Sequence, residues 1–284
     1  MDLEWATTCP AELASDPAPA PAAATTNQPW IGELAAREAA IHGLLPPRQQ
    51  RVPAGTTLVH ENGTAHCFHM VQAGAFKLCK VSADGYEQVL DFASRFDVLG
   101  FDGLGTGRYA AAAVALEDAL VFTMGVAELE ALRRASPVFD RQWQAALSQQ
   151  LARLGELAVL MAAVSADRRV ARFLLQLSRR MAACGQSPRR LRLRMSRRDI
   201  ASHLGLAHES ISRALGTLSA RGLVLVRFRD VEITDQARLE EFARCTRGGE
   251  PMHGRPSTAS RVAQATLQRA ARQADARTAA HATA

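Results

Sequence analysis

The chain has 284 residues, 48 % of them hydrophobic and 5 % aromatic, which suits one or two packed domains. Its net charge of +6 is unevenly placed: residues 31–165 carry 11 bases and 14 acids, whereas residues 166–245 carry 17 bases and 8 acids. No apolar run reaches the ~20 residues that span a bilayer, so no membrane partner is expected and the basic block points to nucleic acid.

Residues 1–30 hold four acids and no base, and Pro17, Pro19, Pro21 and Pro29 punctuate an Ala/Thr-rich stretch. Such a composition cannot bury a core, so a flexible leader is expected there. It has no basic segment followed by an apolar one, so a cytoplasmic location is expected.

Residues 31–135 read as a β domain. Ala54-Gly55, Asn62-Gly63, Ala73-Gly74 and Asp84-Gly85 separate apolar runs such as Cys67–Val71, Phe76–Val81 and Val89–Phe92. Turns recurring about every ten residues suggest a small sandwich or barrel. Asp84-Gly85 between two β-like runs marks a hairpin.

A helix is expected over residues 136–164, with Ser136 as N-cap and Pro137 in the first helical position. Trp143, Leu147, Leu151, Leu154, Ala158 and Met161 recur at gaps of three and four, one apolar stripe along about 27 residues. Such a stripe packs on its own domain or against a second copy. Its length and narrowness favour the seam of a parallel homodimer. Gly155 lies within it, where close helix approach would give the residue a purpose.

Residues 165–245 form the basic unit. A helix from about Asp167 to Ala183 is capped by Ser165 and ended by Gly185, with Val170, Phe173, Leu174, Leu177 and Met181 inward. Ser196-Arg197-Arg198-Asp199 resembles a capping box, with Asp in place of Glu or Gln. Ile200 and Leu204 face inward, Gly205-Leu206 makes a tight turn, and a second helix runs from about His208 to Ala220. Leu223–Arg227 and Val231–Ile233 suggest a wing.

Glu209, Ser212 and Arg213 share one outward face near the start of that second helix. A recognition helix sets this end against base edges, where Arg213 can fork onto guanine, Glu209 can accept from cytosine and Ser212 can serve either base. Ser196, Arg197, Arg198, His208 and Ser210, at the starts of the two helices, are assigned to the DNA backbone. Residues 246–284 read as a flexible basic tail with helical tendency near Val262–Arg272.

Other chemistry finds little purchase. Cys9, Cys67, Cys79, Cys184 and Cys245 show no zinc or redox spacing. His66, Cys67 and His69 cluster in sequence, but on a strand only Cys67 and His69 share a face, and ordinary strand roles are expected. No nucleophile–base–acid set, phosphate loop or metalloprotease helix appears, so no enzyme and no catalytic residue are expected.

The stretch Met195–Val224, MSRRDIASHLGLAHESISRALGTLSARGLV, resembles the DNA-binding domain of the CRP/FNR family, and its FNR branch above all. FLLQLSRRMAACGQSPRRLRLRMSRRDI and VLGFDGLGTG extend the resemblance to about Val52–Ala243. It implies an α+β chain: an N-terminal β-roll like the cyclic-nucleotide-binding jelly roll, a long dimerisation helix and a C-terminal winged helix-turn-helix. It further implies a homodimeric transcription regulator on palindromic TTGAT-like DNA. Glu209, Ser212 and Arg213 match its base-reading positions, and Asp84, Gly85, Tyr86, Glu87 and Gln88 match a loop that contacts RNA polymerase in an activator.

Two departures matter. The iron–sulfur cluster of FNR needs about four cysteines within reach, yet Cys9 stands alone at the front and the late strand Ala119–Met124 has Phe122 in place of a cysteine. No cluster and no other resident cofactor are expected. The cyclic-nucleotide signature is also altered, with Phe101-Asp102 after Gly100 and Tyr109 after Arg108. A regulator whose β-roll binds haem or another small effector is the remaining alternative.

Overall fold

A computed structural model describes residues 30–161 and 165–244. The expected leader up to Pro29, and the tail with its Val262–Arg272 segment, lie outside the described residues. Trp30, counted with the leader, is instead buried against Phe96 and Phe122, because its indole closes one end of the β domain.

Helix α1 (Ile31–Ile41) buries Ile31, Leu34, Ala35 and Ala39 on one stripe. It was not foreseen, since its inward face mixes Ile31 and Leu34 with Gly32, Ala35, Ala39 and the charged Glu38. Eight strands follow: β1 (Arg48–Val52), β2 (Thr57–Val59), β3 (Cys67–Ala73), β4 (Ala75–Val81), β5 (Glu87–Ser94), β6 (Val98–Leu99), β7 (Ala112–Ala115) and β8 (Ala119–Gly125). They pair antiparallel in two sheets, ordered β1-β8-β3-β6 and β2-β7-β4-β5. Val52, Val71, Phe76, Leu99 and Val121 fill the space between them. Gly74 turns β3 into β4 at φ 94°, with Ala119 so close that an added Cβ would lie 2.6 Å from its side chain. The Asp84-Gly85 hairpin forms as read, the Ser82 N–H donating to Tyr86 O across it.

A second unforeseen helix, α2 (Val126–Ala135), leads into α3 (Pro137–Met161). Ser136 accepts the Phe139 N–H and donates 2.7 Å to buried Glu38 of α1. That hydrogen bond outweighs burial and holds the Glu38 carboxyl below the ordinary carboxylate range.

The apolar stripe of α3 divides in two. Trp143, read as part of a dimer seam, is buried at 1 % exposure inside its own chain, its ring 4.8 Å from Phe101 and 5.3 Å from Phe68. The reason is geometric: α3 begins by crossing the β-roll, whose aromatic residues receive the indole. Leu147 packs partly against the same cluster. Further along, Leu151 and Leu154 are 71 % and 56 % exposed, and Ala158 and Met161 are exposed as well.

Helix α4 (Ala166–Ala183) starts at Ser165, whose side chain accepts the Arg168 N–H. The remaining elements are β9 (Arg190–Arg192), α5 (Arg197–Leu204), α6 (His208–Ala220), β10 (Val224–Arg227), β11 (Asp230–Ile233) and α7 (Gln236–Arg244). Their core is continuous with one face of the β-roll, since Cys79, Val89 and Phe92 pack in the same cluster as Leu174, Ile200 and Leu215. Buried Ser202 of α5 donates to Glu87 O and accepts the Val89 N–H, each at 2.8 Å.

Candidate nucleic-acid interface

Local chemistry sets the angle between α5 and α6. Ser196 accepts the Asp199 N–H, and Asp199 accepts the Ser196 N–H at 2.9 Å, a complete capping box. Burial opposes charge on Asp199. The Ser196 bonds and the Lys77 ammonium outweigh it and hold the carboxyl below its ordinary range. Gly205 ends α5 at φ 59°, a left-handed conformation that glycine adopts without strain, and Leu206 packs partly into the angle.

On α6 the buried side is Ile211, Ala214, Leu215 and Leu218. The opposite side carries exposed Glu209 and Arg213 with half-buried Ser212 between them. The three residues read as base-contacting therefore occupy one face at the N-terminal turn. Arg213 reaches Ser210 Oγ at 3.4 Å, and Arg197 donates to Ser212 Oγ at 2.8 Å. Ser212 thus keeps its hydroxyl proton as a donor. The residues assigned to phosphates differ in freedom. Arg198 and His208 are exposed. Ser196 has its hydroxyl engaged with Asp199, because the cap needs it both as donor and as acceptor.

The wing is a three-stranded sheet ordered β10-β11-β9. Its third strand, Arg190–Arg192, went unread because three residues alternating Arg-Leu-Arg give too short a pattern. The turn between β10 and β11 passes through Phe228-Arg229.

The β4–β5 hairpin splits at its base. Asp84, Gly85 and Tyr86 are exposed at the tip. Glu87 and Gln88, read with them as one contact loop, are engaged within the chain. Lys77 pairs with Glu87 and, at 3.2 Å, with Asp199, while Gln88 Nε2 donates 2.7 Å to Ser202 O. The cause is that β5 lies against α5. Sequence gave no sign of this junction beyond a polar Ser202 on an otherwise apolar face.

Asp102 accepts the N–H groups of Ala110 at 2.8 Å and Ala111 at 3.0 Å, and Arg108 donates to Asn62 O. Two amides that could receive a phosphate hold a carboxylate of the chain itself, and like charge disfavours an anion there. Phe101 packs edge-on against Trp143. These residues do not fit a nucleotide phosphate. His69 is buried, bonded to Thr123 Oγ1 at 2.9 Å, and desolvation lowers its pKa to about 4. Burial raises the thiol pKa of Cys67, Cys79 and Cys184. Among the described residues no three His, Cys, Asp or Glu side chains are grouped to hold a metal ion; Cys9 and Cys245 lie outside the described residues. No helix among them is long and apolar enough to cross a membrane.

Comparison with known proteins bears on both halves. Residues 49–136 match the family described as cyclic nucleotide-binding domain, and residues 168–242 match the Crp-like helix-turn-helix domain. The chain is 31 % identical over 200 residues to the fumarate and nitrate reduction regulatory protein of Escherichia coli strain K12, covering 70 % of this chain and 80 % of that one. It is 30 % identical over 192 residues to the transcriptional regulatory protein btr of Bordetella pertussis, covering 68 % and 79 %. Among solved structures it is similar to FixK2 from Bradyrhizobium japonicum, with TM-score 0.64 and 28 % identity over 71 % of this chain and 99 % of that one.

Proposed function

Because the chain belongs to the CRP/FNR family of transcription regulators, we propose that it reads a palindromic TTGAT-like duplex as a homodimer, through Glu209, Ser212 and Arg213 of each copy. The carrying observation is the shared outward face of these three residues at the first turns of α6, opposite a fully buried apolar side. Two such helices, one helical turn of DNA or about 34 Å apart, meet successive major grooves on one side of a duplex. We assign the role to regulation in the cytoplasm without catalysis, cyclic nucleotide or iron–sulfur cluster, in redox, oxygen or metabolic control. Asp102, held by the Ala110 and Ala111 amides, supports the part of that assignment that concerns a cyclic nucleotide.

Arg213→Ala is expected to weaken binding to the specific site by about 1–3 kcal/mol and to relax selectivity at one base pair. Fluorescence anisotropy against the palindrome, its single-base variants and random duplex measures this. Equal weakening on all of them would show a phosphate contact instead and sink the base-reading role.

The pairing surface proposed is the exposed half of the α3 stripe, Leu151, Leu154, Ala158 and Met161, where apolar area of this extent gains by being covered. Leu151→Glu with Leu154→Glu is expected to give a folded monomer by sedimentation, with circular dichroism unchanged. A variant that stays dimeric places the seam elsewhere. As an activator the protein would present Asp84, Gly85 and Tyr86 to RNA polymerase. Glu87 and Gln88 instead fix the hairpin to α5.

A further inference from the structure

The tip of the wing carries an aromatic ring where the backbone favours glycine or asparagine. Phe228 joins β10 to β11, is 88 % exposed, and sits at φ 55°. In this left-handed region a Cβ crowds the following carbonyl, so a bulky residue is strained there. Water gives the ring no compensation. Strain and exposure in one residue are a reason to look for a ligand rather than for a packing role.

The surroundings indicate which ligand. Arg227 and Arg229 flank the ring and are exposed, and exposed Arg192 lies opposite Asp230 in the neighbouring strand. Exposed arginines on either side of an apolar ring in the chain, with Arg192 and the acid Asp230 paired beside them, suit a surface with anionic rims and an apolar wall. The minor groove of duplex DNA is such a surface: phosphates line its edges and deoxyribose its sides. The wing is also held to the reading helix, since the Leu223 N–H donates to Leu218 O as α6 passes into β10, and Thr234 donates to Gly222 O. A tip fixed to α6 moves with it onto the duplex.

We propose that Phe228 is a second DNA contact, its ring against the sugar wall of the minor groove flanking each half-site and Arg227 and Arg229 on the bordering phosphates. This rests on α6 being the base-reading helix. It adds a contact outside the bases that α6 touches, and so a dependence on flanking groove shape and on duplex length.

The test uses the full chain, a long palindromic duplex and the same palindrome trimmed of its flanks. Asparagine tolerates the left-handed conformation, so Phe228→Asn is expected to keep or raise the melting temperature while weakening binding to the long duplex about tenfold. On the trimmed duplex variant and wild type bind alike, and Phe228→Trp, which keeps a ring, binds the long duplex like wild type. Should Phe228→Asn bind the long duplex as tightly as wild type, or lose equally on both lengths, the wing contact is refuted. If that happens while Arg213→Ala still relaxes base selectivity, the reading of α6 survives alone. A wild-type protein that binds no duplex overturns both.

Discussion

Trp143→Ala is expected to destabilise the folded chain by about 3–5 kcal/mol, the range for removing a buried tryptophan. Its indole meets Phe68 edge-on, Phe101 at 4.8 Å and Phe139 in a stack, so truncation opens a cavity bounded by rigid rings that cannot collapse to fill it. Guanidinium unfolding at several protein concentrations separates the alternatives. A residue of the chain's own core lowers the midpoint by the same amount at every concentration. A seam residue would show a loss that grows on dilution, with monomer appearing under native conditions, and that result would return Trp143 to the dimer interface. The Trp143 Nε1 has no hydrogen-bond partner, so Trp143→Phe is expected to cost far less than Trp143→Ala, since it removes an unsatisfied donor and keeps most of the apolar volume.

Asp97→Ala is expected to lose a comparable 3–5 kcal/mol, for an electrostatic reason. Asp97 is 5 % exposed and lies between Arg153 of α3 and Arg180 of α4, while its Oδ2 also accepts the Ser94 N–H. Desolvation works against charge on Arg180, but Asp97 and Asp91 outweigh it and raise its pKa, so the guanidinium stays charged and in need of a partner. Removing the Asp97 carboxylate leaves that charge with the Asp91 carboxylate at 3.5 Å and the neutral Phe92 carbonyl at 2.7 Å. A double-mutant cycle decides the case. Asp97→Ala with Arg180→Ala should lose clearly less than the two single losses added together, whereas strict additivity would mean that the pair is not coupled. The same cluster joins the end of β5 to both long helices, so its loss is also expected to loosen how the β-roll holds the reading unit.

The helix-turn-helix was legible because its signals are local. Ser196 and Asp199 are three residues apart, and Gly205 lies between two short stretches of period 3.6. Within α6, moreover, the polar and apolar sides separate inside thirteen residues. The hairpin at Asp84-Gly85 was legible for the same reason. Helix α1 was not, since an inward face that mixes Gly32, Ala35, Ala39 and charged Glu38 with Ile31 and Leu34 leaves a weak apolar pattern. Strand β9 is too short to show a period at all, and the positive φ of Phe228 runs against the residue's preference, so no propensity could announce it.

Sequence by itself determined the α+β class, the two halves, and the outward trio Glu209, Ser212 and Arg213, because backbone period and capping depend on residues within a few positions of one another. Only the tertiary structure decided that Trp143 turns into its own β-roll while Leu151 and Leu154 do not, that Gln88 answers Ser202, and that Asp97 sits between two arginines. Those choices depend on which segments, 42 to 114 residues apart in these cases, are brought into contact by the path of the chain. A local pattern can say that a face is apolar or charged. The partner that covers it is set by packing.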